Sequence, residues 1–371
     1  MSCDLFIFAG EKSGDLIGER LLTALKQQHP HLRILGVGGP RMRSVGMESV
    51  LKMEDFQVMG FIDVFLALPS LIRKFYKVAR TILQAKPSCV LTIDYPGFNL
   101  RLIKYLRKQG YQGKLCHFIC PSVWAWGKKR IPLMVQHLDL LLSVLPFEKN
   151  IFANTPLQVE YVGHPLVYKI NTYHYKPLPF TTDKPILALF PGSRRKEIER
   201  NLSLQLQACR HLDHHLAISL SDPSFTSLIQ SILDKEGCTH ATLVPAEYSY
   251  ELMRAAHCAI AKSGTVTLEL ALHRTPTVVT YGISPLDLFI AKDLLRIRLP
   301  FYCLVNIIAN QEIYPELIGP NFTKDTLGTA VQQLLQPSIY ATCQQRCDAL
   351  ISLLGNQDAA KVAASGLTPF I

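Results

Sequence analysis

Short apolar runs alternate with amphipathic helical patterns along the whole chain, and this alternation limits the possible folds more than any other feature. Leu5–Ala9 and Cys89–Ile93 are such runs in the first half, and Ile186–Phe190 and 258–261 are such runs in the second. Runs this short and apolar are typical of strands covered on both faces, and strands separated by helices form βαβ units. The sequence therefore predicts an α/β protein with a parallel sheet in each half.

The length of 371 residues exceeds what one ordinary hydrophobic core needs, so we expect two domains. A polar passage rich in tyrosine and proline separates His164-Pro165 from Pro185 and lacks helical or strand periodicity. We interpret it as the interdomain connection, which gives Rossmann-like domains at 1–165 and 166–335. Two such domains would face each other across a cleft at their sheet edges.

The formal net charge of +10 suits nucleic acid, an anionic membrane surface or phosphorylated substrates as partners. The basic residues are spread along the chain, with short runs at Lys128–Arg130 and 194–196 and no basic tail. This distribution favours anionic ligands or a membrane surface and predicts no nucleic-acid partner.

The ten cysteines include no Cys-x-x-Cys pair, and several lie inside apolar runs, which predicts buried, reduced thiols in a cytosolic protein. Two sets of residues could instead bind a metal. The first is Cys116, His117 and Cys120, and the second is His211, His214 and His215, which share one predicted helical face. The first set straddles a strand and the second lacks a companion cluster, so we expect no metal site.

The beginning of the sequence has no basic region followed by a long apolar segment, so we expect no signal peptide. No apolar stretch reaches the roughly twenty residues of a transmembrane helix, so we expect no bilayer-spanning segment.

An anion site is predicted where the strand at 258–261 passes through Ser263, Gly264 and Thr265 into a helix. Free N–H groups at the helix start would favour a diphosphate, although a turn of this composition can equally serve only as a helix cap. Gly192, Ser193 and Arg194 follow another strand of the same half and would add N–H donors and positive charge. Glu269, one turn into the helix, would accept hydrogen bonds from ribose hydroxyls.

The first half supplies candidate residues for the chemistry. Asp94 ends a central strand before Pro96-Gly97, where ligands usually bind in parallel sheets, and capping of that turn is the alternative. Glu11 and Ser13 lie in the turn after the first strand, where capping is again the alternative. Trp124 and Trp126 are the only tryptophans and lie beside a basic run, so they would either face a sugar or pack in the core.

The missing motifs narrow the reaction class. Neither half has Gly-x-Gly-x-x-Gly with a later acidic residue, a P-loop, or an Asp-x-Asp pair for a divalent ion. We therefore predict group transfer from a nucleotide diphosphate without metal or other cofactor. Arg194 and the helix N-termini would take the leaving-group charge, and Asp94 would act as the base.

The segment 56–76 is apolar almost all round and is followed by Lys77 and Arg80. It belongs either to the core or to a surface that meets lipid, where basic residues would contact anionic headgroups. The candidate lipid-contacting residues are Val58, Met59, Phe61, Phe65, Leu68, Leu71 and Ile72.

Seven motifs in one order make the chain similar to a known family. They are Ala9-Gly10-Glu11-Lys12-Ser13-Gly14-Asp15, Gly39-Pro40-Arg41-Met42, Asp94-Tyr95-Pro96 with Phe98-Asn99, Pro121-Ser122-Val123-Trp124-Ala125-Trp126, Gly163-His164-Pro165, Pro191-Gly192-Ser193-Arg194, and Ser263-Gly264-Thr265 with Glu269. With these motifs the chain resembles the lipid-A-disaccharide synthase family, metal-independent inverting glycosyltransferases of the GT-B fold, over nearly its whole length. This resemblance implies that the helices of 336–371 pack back on the first domain.

The resemblance also implies a reaction and its partners. The family transfers 2,3-diacylglucosamine from UDP-2,3-diacylglucosamine to the 6-hydroxyl of 2,3-diacylglucosamine 1-phosphate, giving the β-1,6 disaccharide 1-phosphate and UDP. Asp94 would be the base, Arg194, Glu269 and Asn306 would bind UDP, and Glu11 and Ser13 would face the donor or acceptor. Because the substrates are acylated, the resemblance favours the lipid-contacting interpretation of 56–76. It also implies a protein at the cytoplasmic face of the inner membrane. A homodimer is an alternative to a monomer.

Three positions depart from the family pattern: Gly127 replaces an expected arginine, Gly97 an aspartate and Tyr168 an acidic residue. The alternatives left open are another GT-B transferase or epimerase acting on a UDP-sugar, and a membrane-associated nucleotide-sugar binder without catalysis.

Overall fold

The computed structural model describes residues 3–56, 61–125, 127–283 and 299–371, with side chains for all of these except 61–68. The chain forms two compact units: the first comprises Met1–Tyr168 and Asn356–Ile371, and the second comprises Lys169–Gly355. The two predicted parallel-sheet α/β domains are thereby confirmed.

The first unit is built on a seven-stranded sheet in the order β3-β2-β1-β4-β5-β6-β7, with every neighbouring pair parallel. The strands are β1 (Leu5–Ala9), β2 (Ile34–Gly38), β3 (Glu48–Lys52), β4 (Cys89–Ile93), β5 (Lys114–Phe118), β6 (Leu140–Ser143) and β7 (Gln158–Tyr161). The central strands β1 and β4 are buried along their whole length, because helices cover both faces of the sheet.

The helices of the first unit follow the strands in alternation. They are Lys12–Gln28, Pro40–Ser44, Phe61–Ala85, Pro96–Lys108, Ile131–His137, Glu148–Ile151 and Ala359–Leu367, and Pro165–Asn171 crosses into the second unit. Part of the core is an aromatic cluster: the Phe8 ring stacks on Phe98 at 4.7 Å and meets Phe56 edge-on at 5.2 Å. The ring of Tyr95, directly after Asp94, lies 6.4 Å from Phe8 and 6.2 Å from Phe98, so this cluster supports the turn that carries Asp94.

The second unit contains a six-stranded parallel sheet in the order β10-β9-β8-β11-β12-β13. Its strands are β8 (Ile186–Phe190), β9 (His215–Leu220), β10 (Thr242–Pro245), β11 (Cys258–Lys262), β12 (Thr277–Tyr281) and β13 (Glu316–Ile318). Its helices are Arg195–Cys209, Thr226–Glu236, Ser249–Ala255, Thr265–Leu272, Leu304–Ala309, Lys324–Leu334 and Pro337–Leu354.

The end of the chain differs from the predicted boundary at 336. Helix Pro337–Leu354 remains in the second unit, where it packs against Thr265–Leu272 and Leu304–Ala309. The reason is its apolar face, on which Cys343, Cys347, Leu350 and Leu354 are buried. The chain rejoins the first unit only at Asn356, and helix Ala359–Leu367 packs against Lys12–Gln28.

The predicted lipid-contacting residues are only partly covered by the structure. Val58 and Met59 lie outside the described residues, and the side chains of Phe61, Phe65 and Leu68 do as well. Leu71 is half-buried against the core, whereas Ile72 is 49% exposed. Among the described residues, no helix has the length and apolar character needed to cross a membrane.

Candidate functional site

The second unit has a pocket of about 450 Å³ at the carboxyl edge of its sheet. Because the strands are parallel, the segments that follow β8, β9 and β11 emerge at this same edge and line the pocket together. Of the residues predicted to bind the UDP-sugar, the structure brings seven to this pocket: Gly192, Ser193, Arg194, Ser263, Gly264, Thr265 and Glu269.

Two helices begin at the pocket, Arg195–Cys209 after β8 and Thr265–Leu272 after β11. The turn before the first of them requires glycine, because Gly192 has φ +130° and an added Cβ would lie 2.6 Å from Cβ of Glu197. The first N–H groups of a helix have no partner within the helix, and the helix dipole is positive at this end. Two such ends at one pocket suit an anion with two phosphate groups.

Lys262 is a cation of the pocket that the sequence patterns did not single out. Its Nζ lies 3.0 Å from Oε1 of Glu197, and its side chain is only 17% exposed. Burial alone would raise the pKa of Glu197, but Lys262 and the N–H of Ser193, 3.1 Å from Oε2, hold that pKa below its usual value. Lys262 is therefore a positive charge held in place at the pocket wall, whereas the Arg194 side chain is 82% exposed.

Glu269 is a half-buried carboxylate of the pocket. Burial raises its pKa, while the hydrogen bond from Tyr250 and the charge of Lys169 oppose that shift. The Tyr250 hydroxyl donates to Oε1 of Glu269 at 2.8 Å, which leaves Oε2 as an acceptor for a ligand hydroxyl. This arrangement is what recognition of a ribose would use.

An aromatic cluster holds Tyr250 from behind. The Tyr173 ring lies 4.9 Å from Tyr250 and the His273 ring lies 5.4 Å from it. Nζ of Lys169 lies 4.9 Å above the Tyr250 ring, and the Tyr175 hydroxyl is 2.9 Å from Nε2 of His273. Tyr250 is buried, so its hydroxyl has a fixed position beside Glu269.

Asn306 lies elsewhere, fully buried in helix Leu304–Ala309. Its Nδ2 donates to the carbonyl oxygen of Tyr314 and to Oε1 of Glu316, and its Oδ1 accepts from the N–H groups of Ile313 and Tyr314. Every hydrogen-bonding position of the amide is thus used to fix 313–316. A contact with UDP stays a prediction for this residue.

Asp94 belongs to the first unit, directly after β4. Both Asp94 and Tyr95 have left-handed backbone conformations, with φ of 47° and 46°, which non-glycine residues seldom adopt. The amide of Asn99 fixes this turn by donating to the carbonyl oxygen of Asp94 at 2.6 Å. Burial raises the pKa of the Asp94 carboxyl, although the N–H of Tyr95 opposes the shift. A carboxylate of raised pKa suits general-base chemistry near neutral pH.

Glu11 lies close enough to Asp94 for the two carboxylates to interact. Burial and the negative charge of Asp94 both raise the pKa of Glu11. Ser13 is exposed in the first turn of helix Lys12–Gln28. The capping alternative for this turn is not realised, because Glu11 at the N-cap position of helix Lys12–Gln28 makes no side-chain cap hydrogen bond to the described residues. Asp15 instead accepts hydrogen bonds from the N–H groups of Gly39, Arg41 and Met42 and fixes the start of helix Pro40–Ser44.

Trp124 is half-buried, and its ring meets Phe147 edge-on at 5.7 Å, whereas Trp126 lies outside the described residues. The Trp124 indole N–H faces the buried carboxyl of Glu148 without a hydrogen bond of regular geometry to any described residue. Oε2 of Glu148 accepts from Ser143 Oγ at 2.7 Å and from the N–H of Leu145. Glu148 is therefore fixed to the end of β6, with its carboxyl beside Trp124.

The two metal alternatives do not assemble. Sγ of Cys116 points to Sγ of Cys89 at 3.6 Å, while Nδ1 of His117 contacts Thr92 Oγ1 at 2.7 Å, as expected for alternating side chains on a strand. The predicted helical face of His211, His214 and His215 is wrong, because helix Arg195–Cys209 has already ended and His215 starts β9. All ten cysteines are buried and free.

The site residues that sequence patterns missed are Lys262, Glu197 and Tyr250. Lys262 and Glu197 are 65 positions apart, and Tyr250 and Glu269 are 19 positions apart. The position of Lys262, immediately before Ser263, is the one sequence feature that could have identified it, because residues at the carboxyl end of a parallel strand face the ligand edge.

Comparison with known proteins identifies the family of this chain. A family model described as lipid-A-disaccharide synthetase matches residues 5–365. The lipid-A-disaccharide synthase of Chlamydia pneumoniae is 44% identical over 359 residues, 94% of this chain and 59% of that protein. The one of Gluconobacter oxydans is 36% identical over 343 residues, 89% of this chain and 81% of that protein.

The solved structure of UDP-GlcNAc 2-epimerase from Neisseria meningitidis bound to UDP-GlcNAc is similar in fold, with a TM-score of 0.59 and 14% identity over 98% of this chain and 99% of that one. The chain spans little more than half the length of the chlamydial relatives that it matches. On the family match over nearly all of its residues, this chain belongs to the lipid-A-disaccharide synthetase family.

Proposed function

We propose that this chain transfers 2,3-diacylglucosamine from UDP-2,3-diacylglucosamine to the 6-hydroxyl of 2,3-diacylglucosamine 1-phosphate, with inversion at the anomeric carbon and without a metal. The observation that carries the proposal is the pocket of the second unit, in which two helix N-termini and Lys262 lie beside the half-buried carboxylate of Glu269. A diphosphate and a ribose are the groups that such a pocket would bind.

In the proposed reaction, the bond between the anomeric carbon and the UDP oxygen breaks, and its electron pair leaves with UDP. Lys262, Arg194 and the two helix starts would stabilise that charge, which removes the need for a divalent ion. The acceptor oxygen forms the new bond to the anomeric carbon, and its proton passes to the Asp94 carboxylate. Glu11, Ser13 and Trp124 would face the sugars from the first unit.

Replacing Asp94 tests this division of roles. Asp94→Asn should reduce transfer roughly a hundredfold to ten-thousandfold, the usual contribution of a general base, while UDP binding measured by calorimetry stays unchanged. Asp55→Asn, at an exposed position of the first unit, is the matched control and should keep full activity. Full transfer by Asp94→Asn would exclude Asp94 as the base.

The donor is tested by comparing acylated with non-acylated UDP-sugars as substrates of the purified protein. We expect turnover of UDP-2,3-diacylglucosamine only. Equal turnover of UDP-N-acetylglucosamine would instead indicate another transferase or an epimerase, and UDP binding without any turnover would indicate a non-catalytic binder. Activity should persist in EDTA; loss in EDTA with recovery on magnesium addition would contradict the metal-free step.

The proposal includes contact with the anionic cytoplasmic face of the inner membrane, where acylated substrates would reside. Helix Phe61–Ala85 supports it, since Ile72 and Tyr76 are 49% and 52% exposed and Arg73, Lys77 and Arg80 are exposed beside them. Ile72→Glu should reduce binding to vesicles that contain anionic lipid. Ile339→Glu, at an exposed isoleucine of the second unit, is the control and should bind as the unmodified protein does.

A further inference from the structure

Three potential metal ligands lie together in the second unit, away from the pocket. His214 immediately precedes β9, and His257 and Cys258 stand at the beginning of β11. Because the sheet is parallel, these residues lie at its amino edge, whereas Gly192 and Ser263 follow strands at the carboxyl edge. Any function of this group is therefore separate from nucleotide binding.

The geometry of the group is close to that of a metal site. Nε2 of His214 lies 3.1 Å from Nδ1 of His257, and one ligand atom from each of the three residues lies within 4.8 Å of the others. Two imidazole nitrogens on one tetrahedral zinc ion are about 3.3 Å apart, and a nitrogen and a thiolate sulfur are about 3.6 Å apart. Side-chain movement of about 1 Å would thus be enough to complete the site.

One nitrogen of the histidine pair is also left without a partner. Nε2 of His214 faces Nδ1 of His257, and Nδ1 of His214 is buried without a hydrogen-bond partner among the described residues. The backbone is firmly placed, because the Tyr340 hydroxyl donates to the carbonyl oxygen of His257 at 3.0 Å.

We propose that His214, His257 and Cys258 bind one divalent ion of the zinc class, with a water molecule as the fourth ligand. Both histidines are half-buried, which leaves room for that water, while Cys258 is 1% exposed. On binding, the Cys258 thiol loses its proton to solvent and a metal–sulfur bond forms. The ion joins the loop before β9 to the start of β11 and stabilises the second unit.

Cobalt is the probe that tests this proposal on the whole protein after treatment with a chelator. One cobalt ion per chain should bind and give the thiolate-to-cobalt charge-transfer band and the strong visible bands of a four-coordinate site. Cys258→Ser should abolish the charge-transfer band, and His257→Ala should weaken binding at least about tenfold. His240→Ala, at an exposed histidine, and Cys3→Ser, at a buried cysteine of the first unit, are matched controls that should bind cobalt normally.

A second measurement keeps the proposal testable if a variant folds poorly. Zinc should raise the midpoint of thermal unfolding of the unmodified protein but not that of His214→Gln. UDP binding should be unchanged in His214→Gln, which shows that the second unit is folded and separates this outcome from a failure of the proposed transferase function. Absence of stoichiometric cobalt binding, or a charge-transfer band that persists in Cys258→Ser, would overturn the site and leave a hydrogen-bonded histidine pair.

Discussion

The hydroxyl of Tyr250 donates a 2.8 Å hydrogen bond to Oε1 of Glu269 and thereby joins the aromatic cluster of the second unit to its pocket. Among the described residues this hydrogen bond occupies only Oε1 of Glu269, so Oε2 is available to a ligand. Tyr250 is in this sense a positioning residue, because it acts on a ligand through the carboxylate.

Removal of this hydroxyl should weaken nucleotide binding. In Tyr250→Phe, Glu269 loses a hydrogen bond to a charged group, so we expect the Kd for UDP to rise about tenfold or more. The same loss removes an influence that lowers the pKa of Glu269. Because the ionised carboxylate is the better acceptor, UDP affinity should decline on acidification at a higher pH in the variant than in the unmodified protein. Calorimetric titration across a pH series measures both effects.

Tyr173→Phe is the matched control for that variant. The Tyr173 hydroxyl donates to Oε1 of Glu251 at 3.0 Å, and the Tyr173 ring packs on Tyr250. Its loss should leave UDP affinity and its pH dependence unchanged. If both variants bind UDP equally weakly, the cluster acts through packing and the hydrogen bond to Glu269 has no separate role.

Lys262 should contribute to the binding of the diphosphate of UDP. Lys262→Met removes the positive charge nearest to Glu197, so UDP affinity should decrease roughly tenfold to hundredfold. The affinity for UMP, which has one phosphate fewer, should decrease less in this variant than the affinity for UDP. The measurement is a comparison of both nucleotides at low and high salt, since an electrostatic contribution weakens with ionic strength.

Lys184→Met serves as the control, because Lys184 is exposed, precedes β8 and pairs with Asp213 at 2.7 Å at the opposite edge of the sheet. It should bind both nucleotides normally. Equal losses for UDP and UMP in Lys262→Met would show that Lys262 supports the pocket wall and not the diphosphate.

The central strands could be predicted from the sequence because both of their faces are buried. Strand β1, for example, is a continuous apolar run of five residues that ends at Gly10, and a run this short is typical of a buried strand. Strands β3, β7 and β13 were missed, and each lies at the edge of a sheet, where polar residues are tolerated. Glu48 and Gln158 face water, and the Glu316 carboxylate accepts hydrogen bonds from the N–H groups of Tyr302 and Cys303 and from Asn306. Their polar composition follows from that position, so the apolar-run criterion cannot find them.

The pocket was predictable in part for a related reason. Gly192 and Ser263 lie within two residues of the ends of recognisable strands, so parallel topology alone brings them to one edge. The contacts of Glu197 with Lys262 and of Tyr250 with Glu269 join distant parts of the chain, and sequence periodicity carries no information about such pairs. The C-terminal boundary was misplaced because an amphipathic helix such as Pro337–Leu354 shows that it packs, but not on which unit.

The buried carboxyl of Glu148 should make the first unit less stable as pH rises. Burial raises its pKa to about 7, although hydrogen bonds from Ser143 and Leu145 oppose the shift. The folded state therefore holds a proton that the unfolded state releases near pH 4.5, and between these values the free energy of unfolding should decrease with pH, by roughly 3 kcal/mol in total. In Glu148→Gln this decrease should disappear.

Tryptophan fluorescence during urea unfolding measures this effect in the right unit, because both tryptophans belong to the first unit. Glu48→Gln, at an exposed position on the edge strand β3, is the control and should retain the decrease. A decrease of the same size in Glu148→Gln would assign the pH dependence to other groups.

The pH dependence of transfer should identify which of the two neighbouring carboxylates is the base. Asp94 must be ionised to accept a proton, and burial raises its pKa, so kcat/KM should decline on acidification at a pH above the ordinary range of an aspartate. Glu11→Gln should retain this decline without moving it to higher pH, because removal of a neighbouring negative charge can only favour ionisation of Asp94. In Asp94→Asn the residual rate should no longer decline over that range. A decline that vanishes in Glu11→Gln but persists in Asp94→Asn would transfer the role of base to Glu11.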